Sequence, residues 1–251
     1  MTVSFSQPIR AIVTGHTRGL GAALAAQLLQ REVAVLGISR RAHPSLATQF
    51  GADRFAELAL DLSDPAAVAA WLAGGALERF AEGARSVLLI NNAGMVEPIG
   101  PLATQSPESI AQAVALNVTA PLMFAAAVAK LGSGSLERRI LHVSSGAARN
   151  AYAGWSVYCA TKAALDHHAR AVALDANGPL RIASVAPGVV DTDMQASIRA
   201  TGAERFPQLE RFTQLKASGA LSTPEDAARK LLDYALGEQF GSTPIADVRE
   251  L

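Results

Sequence analysis

Short continuous runs of Val, Ile and Leu, set between alanine-rich stretches, constrain this chain more than any other feature. The runs lie at residues 9–13, 33–38, 55–60, 87–90, 140–143 and 182–185. They do not alternate with polar residues, which is the pattern of strands buried on both faces of a parallel sheet. Between them, residues 20–29, 66–80, 107–131 and 157–174 carry helical periodicity. This alternation predicts an α/β fold: a single-domain, Rossmann-like, doubly wound parallel sheet of about seven strands with helices on both faces. Residues 1–251 read as one domain, since no repeat, low-complexity tract or linker marks a cut. After Asp191 the rhythm breaks. A partly helical excursion, about residues 188–222, is expected to form a lid, followed by a helix over 224–236 and a short strand near 244–248.

Charge and composition exclude several function classes. The 22 basic and 22 acidic residues cancel without a long single-sign run, so the chain lacks the electrostatic footprint of a nucleic-acid or anionic-membrane binder. The longest apolar stretch, residues 120–129, is too short to span a bilayer. A strand-like run begins close to the N-terminus, which argues against a signal peptide. The single Cys159 suits a reducing compartment. The expectation is a soluble, cytoplasmic protein whose partner is a small molecule, with no nucleic acid and no membrane.

The first strand runs into Thr14-Gly-His-Thr-Arg-Gly-Leu-Gly21. Glycines 15, 19 and 21 fall where a strand turns into a helix, a place that needs unusual φ values and close approach of a phosphate. The helix N-terminus adds unpaired N–H groups and a partial positive charge. Gly15, Thr17, Arg18, Gly19, Leu20 and Gly21 are therefore candidate cofactor contacts. The second strand closes as Gly37-Ile-Ser-Arg-Arg41, placing Ser39 where NAD-binding folds hold an acid for the ribose 2′-hydroxyl. Arg40, with Arg18 converging from the glycine turn, suits a 2′-phosphate, which a carboxylate would repel. NADP(H) is favoured over NAD(H).

Tyr158 and Lys162 lie four residues apart, and on a helix such residues share a face. An ammonium about 4 Å from a phenol, at an effective dielectric of about 20, contributes on the order of 4 kcal/mol. That would lower a tyrosine by up to about 3 units from its usual value near 10. A tyrosine so placed exchanges protons near neutral pH, as a general acid or base requires.

Further motifs complete a pattern. Asp61-Leu62 follows the third strand, Asn91-Asn-Ala-Gly94 the fourth, and Ser145 precedes Tyr158 by thirteen residues. Pro187-Gly188 and Thr192 fit P-G-x-x-x-T. With the glycine turn and Asn117, these make the chain resemble the short-chain dehydrogenases/reductases over residues 9–249. The stretches Gly154-Trp-Ser-Val-Tyr-Cys159, Lys162-Ala-Ala-Leu-Asp166, Asp191-Thr-Asp-Met-Gln195 and Phe212-Thr-Gln-Leu-Lys216 are similar to the sepiapterin reductase and benzil reductase branch.

The resemblance implies a catalytic set of Asn117, Ser145, Tyr158 and Lys162. It implies cofactor contacts from Asp61, Leu62, Asn92, Ala93, Gly94, Pro187, Gly188, Val190, Thr192 and Met194, alongside Ser39, Arg40 and the glycine turn; Tyr158 and Lys162 would also touch the cofactor. In the implied reaction NADPH gives a hydride to a carbonyl carbon and Tyr158 donates the proton. Ser145 holds the carbonyl oxygen, Lys162 lowers the Tyr158 pKa and binds ribose hydroxyls, and Asn117 holds a water beside Lys162. Trp155 and Tyr152 would wall an aromatic substrate. Glu250, or else Asp247, would stand where sepiapterin reductases anchor the pterin. Family members commonly form homodimers or homotetramers through the helices at 107–131 and 157–174. The alternatives are a catalytically silent NADP(H) sensor and an NAD-dependent alcohol dehydrogenase. Adjacent His167 and His168 point to different helix faces and make a poor chelate, so no metal is expected; Cys159 points away from the site and reads as packing.

Overall fold

The computed structural model describes residues 9–132, 135–175 and 178–251; the first eight residues of the expected domain lie outside these. The apolar runs form β1 (Ile9–Thr14), β2 (Ala34–Ser39), β3 (Phe55–Ala59), β4 (Ser86–Asn91), β5 (Glu137–Val143) and β6 (Leu180–Ala186). A short β7 (Ile245–Asp247) follows near the C-terminus. All pair in parallel in the order β3-β2-β1-β4-β5-β6-β7. Strand order reverses between β1 and β4, and open α/β sheets bind ligands in the crevice at that point. Thr14 lies opposite Ile38 and Val13 opposite Ile90. The glycine turn, the basic segment after β2 and the Asn91–Gly94 segment therefore leave the sheet side by side.

The helices are α1 (Gly19–Gln30), α2 (Leu46–Phe50), α3 (Pro65–Ala73), α4 (Ala76–Ala81), α5 (Pro107–Val114), α6 (Ala120–Ala129), α7 (Ser156–Leu174), α8 (Asp193–Arg199), α9 (Leu209–Ala217) and α10 (Pro224–Leu236). Strand residues divide between two cores. Ala11, Val13, Leu88, Ile90 and Leu141 pack with α1 and α10, while Ile12, Val87, Leu89, Ile140 and Ile182 pack with α6 and Val68 of α3. Asp64, Ser106 and Thr223 each cap a helix that begins with Pro, accepting from N–H groups of its first turn.

Three expectations change. The stretch 66–80 is two helices, because Gly74 and Gly75 interrupt it and Gly75 adopts φ +69°. Between β2 and β3 the chain makes the extra helix α2. Residues 107–129 form one continuous helix with a π-helical turn at Ala115–Thr119, and this helix is long and apolar enough by length and composition to cross a membrane. The helix expected over 107–131 is there; what changes is that the apolar stretch 120–129, counted together with the turns before it, reaches that length, and Ala120, Phe124, Ala125 and Val128 of it are buried in the core of the sheet layer.

The expected lid holds α8 and α9. Its base is pinned by backbone bonds from Asp191 N–H to Ser222 O (2.9 Å) and from Ser222 N–H to Val189 O (3.0 Å).

Gly21 lets α1 close onto the turn: a Cβ there would lie 2.0 Å from Gly15 O, a backbone atom with no room to yield. Gly21→Ala should cost about 3 kcal/mol or more in urea unfolding, at the upper end of overpacking losses. A loss below about 1 kcal/mol would show that the turn gives way easily.

Candidate active site

α7 presents Tyr158 and Lys162, both buried, toward the ends of β4 and β5. Lys162 Nζ donates to Val143 O at 2.8 Å and stands 5.8 Å from the Tyr158 ring centroid. Burial moves the two groups in opposite directions. It raises the Tyr158 phenol above its usual 10, against the lowering effect of a hydrogen bond with Ser145. It brings Lys162 down to about 8, with the nearby Asp166 carboxylate opposing the fall. The expected lowering of Tyr158 by Lys162 is thus corrected: desolvation of the phenol dominates, and the ammonium is turned to a backbone carbonyl.

Ser145 follows β5 and caps a single 3-10 turn, its Oγ accepting from Ala147 N–H at 3.1 Å. Asn117 lies inside the π-helical turn, a distortion frequent at functional sites. Its side chain grips the Met95 backbone at both ends, accepting from N–H (2.9 Å) and donating to O (2.8 Å), and also donates to Thr161 Oγ1. A Cβ at Gly94 would stand 3.2 Å from Asn117 Oδ1 and 3.7 Å from Lys162 Nζ. Asn117, Lys162, Ser145 and Tyr158 are thus gathered at one end of the sheet.

The nucleotide elements are gathered too. Thr14 Oγ1 accepts from Asn92 N–H and Ala93 N–H, both at 3.0 Å, and Asn92 Nδ2 donates to Thr14 O (2.9 Å) and Gly15 O (3.2 Å). Asn92 therefore ties two turns together. Leu20 is buried and Thr17 half-buried at the start of α1, whose N-terminus has no side-chain cap. Its first N–H groups suit a pyrophosphate, and the glycines at 15, 19 and 21 allow the approach, so the residues present fit a dinucleotide. Thr192 Cγ2 comes within 3.2 Å of where a Gly19 Cβ would be, placing the Pro187–Met194 segment across the crevice. Within it Pro187 and Gly188 are half-buried, Val190 is buried and bridges to Ser222, and Met194 joins the aromatic cluster described below.

Ser39 ends β2, and the exposed Arg40 stands near Asp61, whose carboxyl is held below its usual value chiefly by hydrogen bonds from Ser63. Leu62 is buried. Arg18 does not converge with Arg40. It pairs with Asp193 of α8 at 3.0 Å, both side chains well exposed, and such a pair is worth at most about 1 kcal/mol.

The expected substrate wall is an aromatic cluster. Trp155 stacks on Phe206 (4.5 Å, 15°), meets the Tyr158 ring edge-on at 5.4 Å, and touches Tyr152 and Phe212. Phe206 and Phe212 come from the segment at 188–222, which packs where Gly154 would otherwise carry a Cβ 2.3 Å from Arg205 O. At the C-terminus Glu250 is exposed, whereas Asp247 is buried and held below its usual carboxylate range by a two-pronged pairing with Arg249.

Three features were missed in the sequence. Phe206 has no motif to mark it. Asp166 is buried and accepts from Ser144 Oγ (2.6 Å), Ser184 Oγ (2.7 Å) and Arg149 Nε (3.2 Å), bracing the strand ends around Ser145. Asn91, His142 and His168 form a chain: Asn91 Nδ2 donates to His142 Nδ1, and His142 Nε2 donates to His168 Nδ1, each at 3.1 Å. Burial pulls His142 down to about 3.

The family described as short chain dehydrogenase matches residues 10–203. The chain is 35% identical over 246 residues to benzil reductase ((S)-benzoin forming) of Bacillus cereus, covering 95% of this chain and 98% of that protein. It is 32% identical to sepiapterin reductase of Meriones unguiculatus, covering 92% of each. A short-chain dehydrogenase/reductase structure from Burkholderia vietnamiensis aligns with 60% identity and a TM-score of 0.72, over 98% of this chain and 100% of that one.

The neutral His142 makes a pH prediction. An unfolded chain takes up the proton at about 6.5, whereas the folded one refuses it until about 3. Stability is therefore lost as pH falls through this window, by up to about 1.4 kcal/mol per unit. In urea titrations, His142→Asn should flatten the loss between pH 6.5 and 4; parallel curves for the two proteins would count against the buried neutral imidazole.

Proposed function

The chain belongs to the short-chain dehydrogenase family, and from that premise we propose that this oxidoreductase is an NADPH-dependent carbonyl reductase acting on bulky ketones or vicinal diketones. The observation that carries the proposal is the surroundings of Tyr158: a phenol kept protonated by burial, hydrogen-bonded to Ser145 and flanked by the Trp155 cluster. The benzil and sepiapterin reductases among its relatives support the same substrate class.

When bound, the reduced nicotinamide supplies a hydride. Negative charge then develops on the carbonyl oxygen. The Ser145 hydroxyl donates to that oxygen and orients it, as a single oxyanion donor does. Tyr158 releases its proton to the same oxygen. A raised phenol pKa favours this direction, because the acid is fully loaded at neutral pH and the alkoxide it neutralises is a much stronger base. Lys162, with ammonium protons beyond the one given to Val143 O, would hold the ribose hydroxyls of the cofactor and steady the phenolate that remains. Asn117 fixes the Gly94–Met95 backbone beside Lys162. The exposed Arg40 would hold the 2′-phosphate of the cofactor.

The test is oxidation of NADPH and NADH against benzil, phenylpropanedione, sepiapterin and a simple aldehyde. NADPH-dependent turnover of the diketones is expected, and Tyr158→Phe should lower kcat by about a hundredfold or more while NADPH binding is retained. Unchanged turnover in that variant would remove Tyr158 as proton donor. Turnover confined to the aldehyde would overturn the bulky-substrate reading.

A further inference from the structure

The reaction makes no use of Glu57, yet this β3 residue joins the two turns that flank the adenosine end of the crevice. The imidazole of His16 is wholly buried in the glycine turn, edge-on to Phe55 at 5.6 Å. It fills the space beside β2, where a Cβ on Gly37 would come within 2.6 Å of the ring. His16 Nε2 donates to Glu57 Oε1 at 2.7 Å, and the same oxygen accepts from the His43 backbone N–H at 2.6 Å. His43 Nδ1 then accepts from Ser45 and Leu46 N–H, both at 3.2 Å, which fixes the entry to α2. At the other end of the segment, Ser39 Oγ donates to Arg41 O at 2.7 Å and accepts from Arg41 N–H at 3.3 Å.

Residues 40–43 are therefore clamped at both ends, and one clamp is a carboxylate on a neighbouring strand. This matters because Arg40 is exposed. Its guanidinium can meet a phosphate bidentately only if the backbone beneath is already placed. A carboxylate near a phosphate site would ordinarily repel the ligand. Here two N–H donors occupy the Glu57 oxygen.

We propose that Glu57 is a positioning residue that sets the preference for a 2′-phosphorylated dinucleotide, by holding residues 40–43 against the glycine turn through His16 and the His43 backbone. The proposal rests on the NADPH reading above.

The test measures dissociation constants of NADPH and NADH by fluorescence for wild type, Glu57→Gln, Glu57→Leu and His16→Ala, with thermal unfolding of each free protein. Arg40→Ala sets the scale for losing the phosphate contact directly. In Glu57→Leu, NADPH should weaken by about tenfold or more while NADH changes by no more than roughly twofold, the loss of a charge-assisted contact made through Arg40. Glu57→Gln, which keeps an amide oxygen for both donors, should retain the wild-type ratio. If Glu57→Leu does not fold, His16→Ala cuts the link at the glycine turn and should lower the NADPH/NADH ratio in the same direction. Equal losses for both cofactors, or an unchanged ratio in Glu57→Leu and His16→Ala, would overturn the proposal and leave Glu57 as a brace for the fold. A wild-type protein without NADPH preference would overturn the cofactor reading itself, visible before any variant is made.

Discussion

A cation held out of water is the constraint around which this chain is built. Lys162 is 5% exposed, and an ammonium in that position is tolerated only where acceptors and opposite charge are fixed in advance. The acceptor is Val143 O, at the end of β5; the charge is Asp166, one turn along the same helix. Asp166 in turn needs donors, which Ser144, Ser184 and Arg149 provide from just past β5, from β6 and from the loop before α7. The demand of one ammonium thus propagates through a buried network and registers α7 against two strands. Ser145 and Tyr158 inherit their positions from that registration.

The same burial divides labour between neighbouring side chains. Desolvation disfavours charge on either group, so the phenol keeps its proton more firmly while the lysine holds its own less firmly. Proximity of the two groups does not by itself set their titration; the dielectric around them does.

Much of the architecture was legible because parallel strands buried on both faces leave continuous apolar runs, as at residues 87–90 and 182–185, and all six runs became strands. The glycine turn and the Tyr158–Lys162 spacing were legible for a similar reason: each is a local geometry written in adjacent residues. What escaped was set by partners distant in sequence. The His16–Glu57 contact depends on β3 lying beside β2, and Gly37 looks unremarkable until the imidazole is seen in its place. Phe206 meets Trp155 only because the segment at 188–222 packs back against the start of α7. The π-helical turn at Asn117 has no composition signal, since it follows from how the side chain grips Met95. Gly74-Gly75 is different: the breaker stands in the sequence itself, between two stretches whose apolar periodicity runs on either side of it.

The lid's pinned base has an evolutionary consequence. Because residues 189–191 and Ser222 are bonded to each other, the chain between them leaves and rejoins the body at a single point. Closing a longer loop there adds only about 0.6 kcal/mol for each doubling of length. Changes of length in the exposed stretches around residues 202–205 and 207–208 are therefore easily absorbed by the sheet, while Tyr158 on α7 stays where it is. A fold arranged in this way can vary the outline of one flank while the aromatic contacts to Trp155 and the sheet beneath stay as they are.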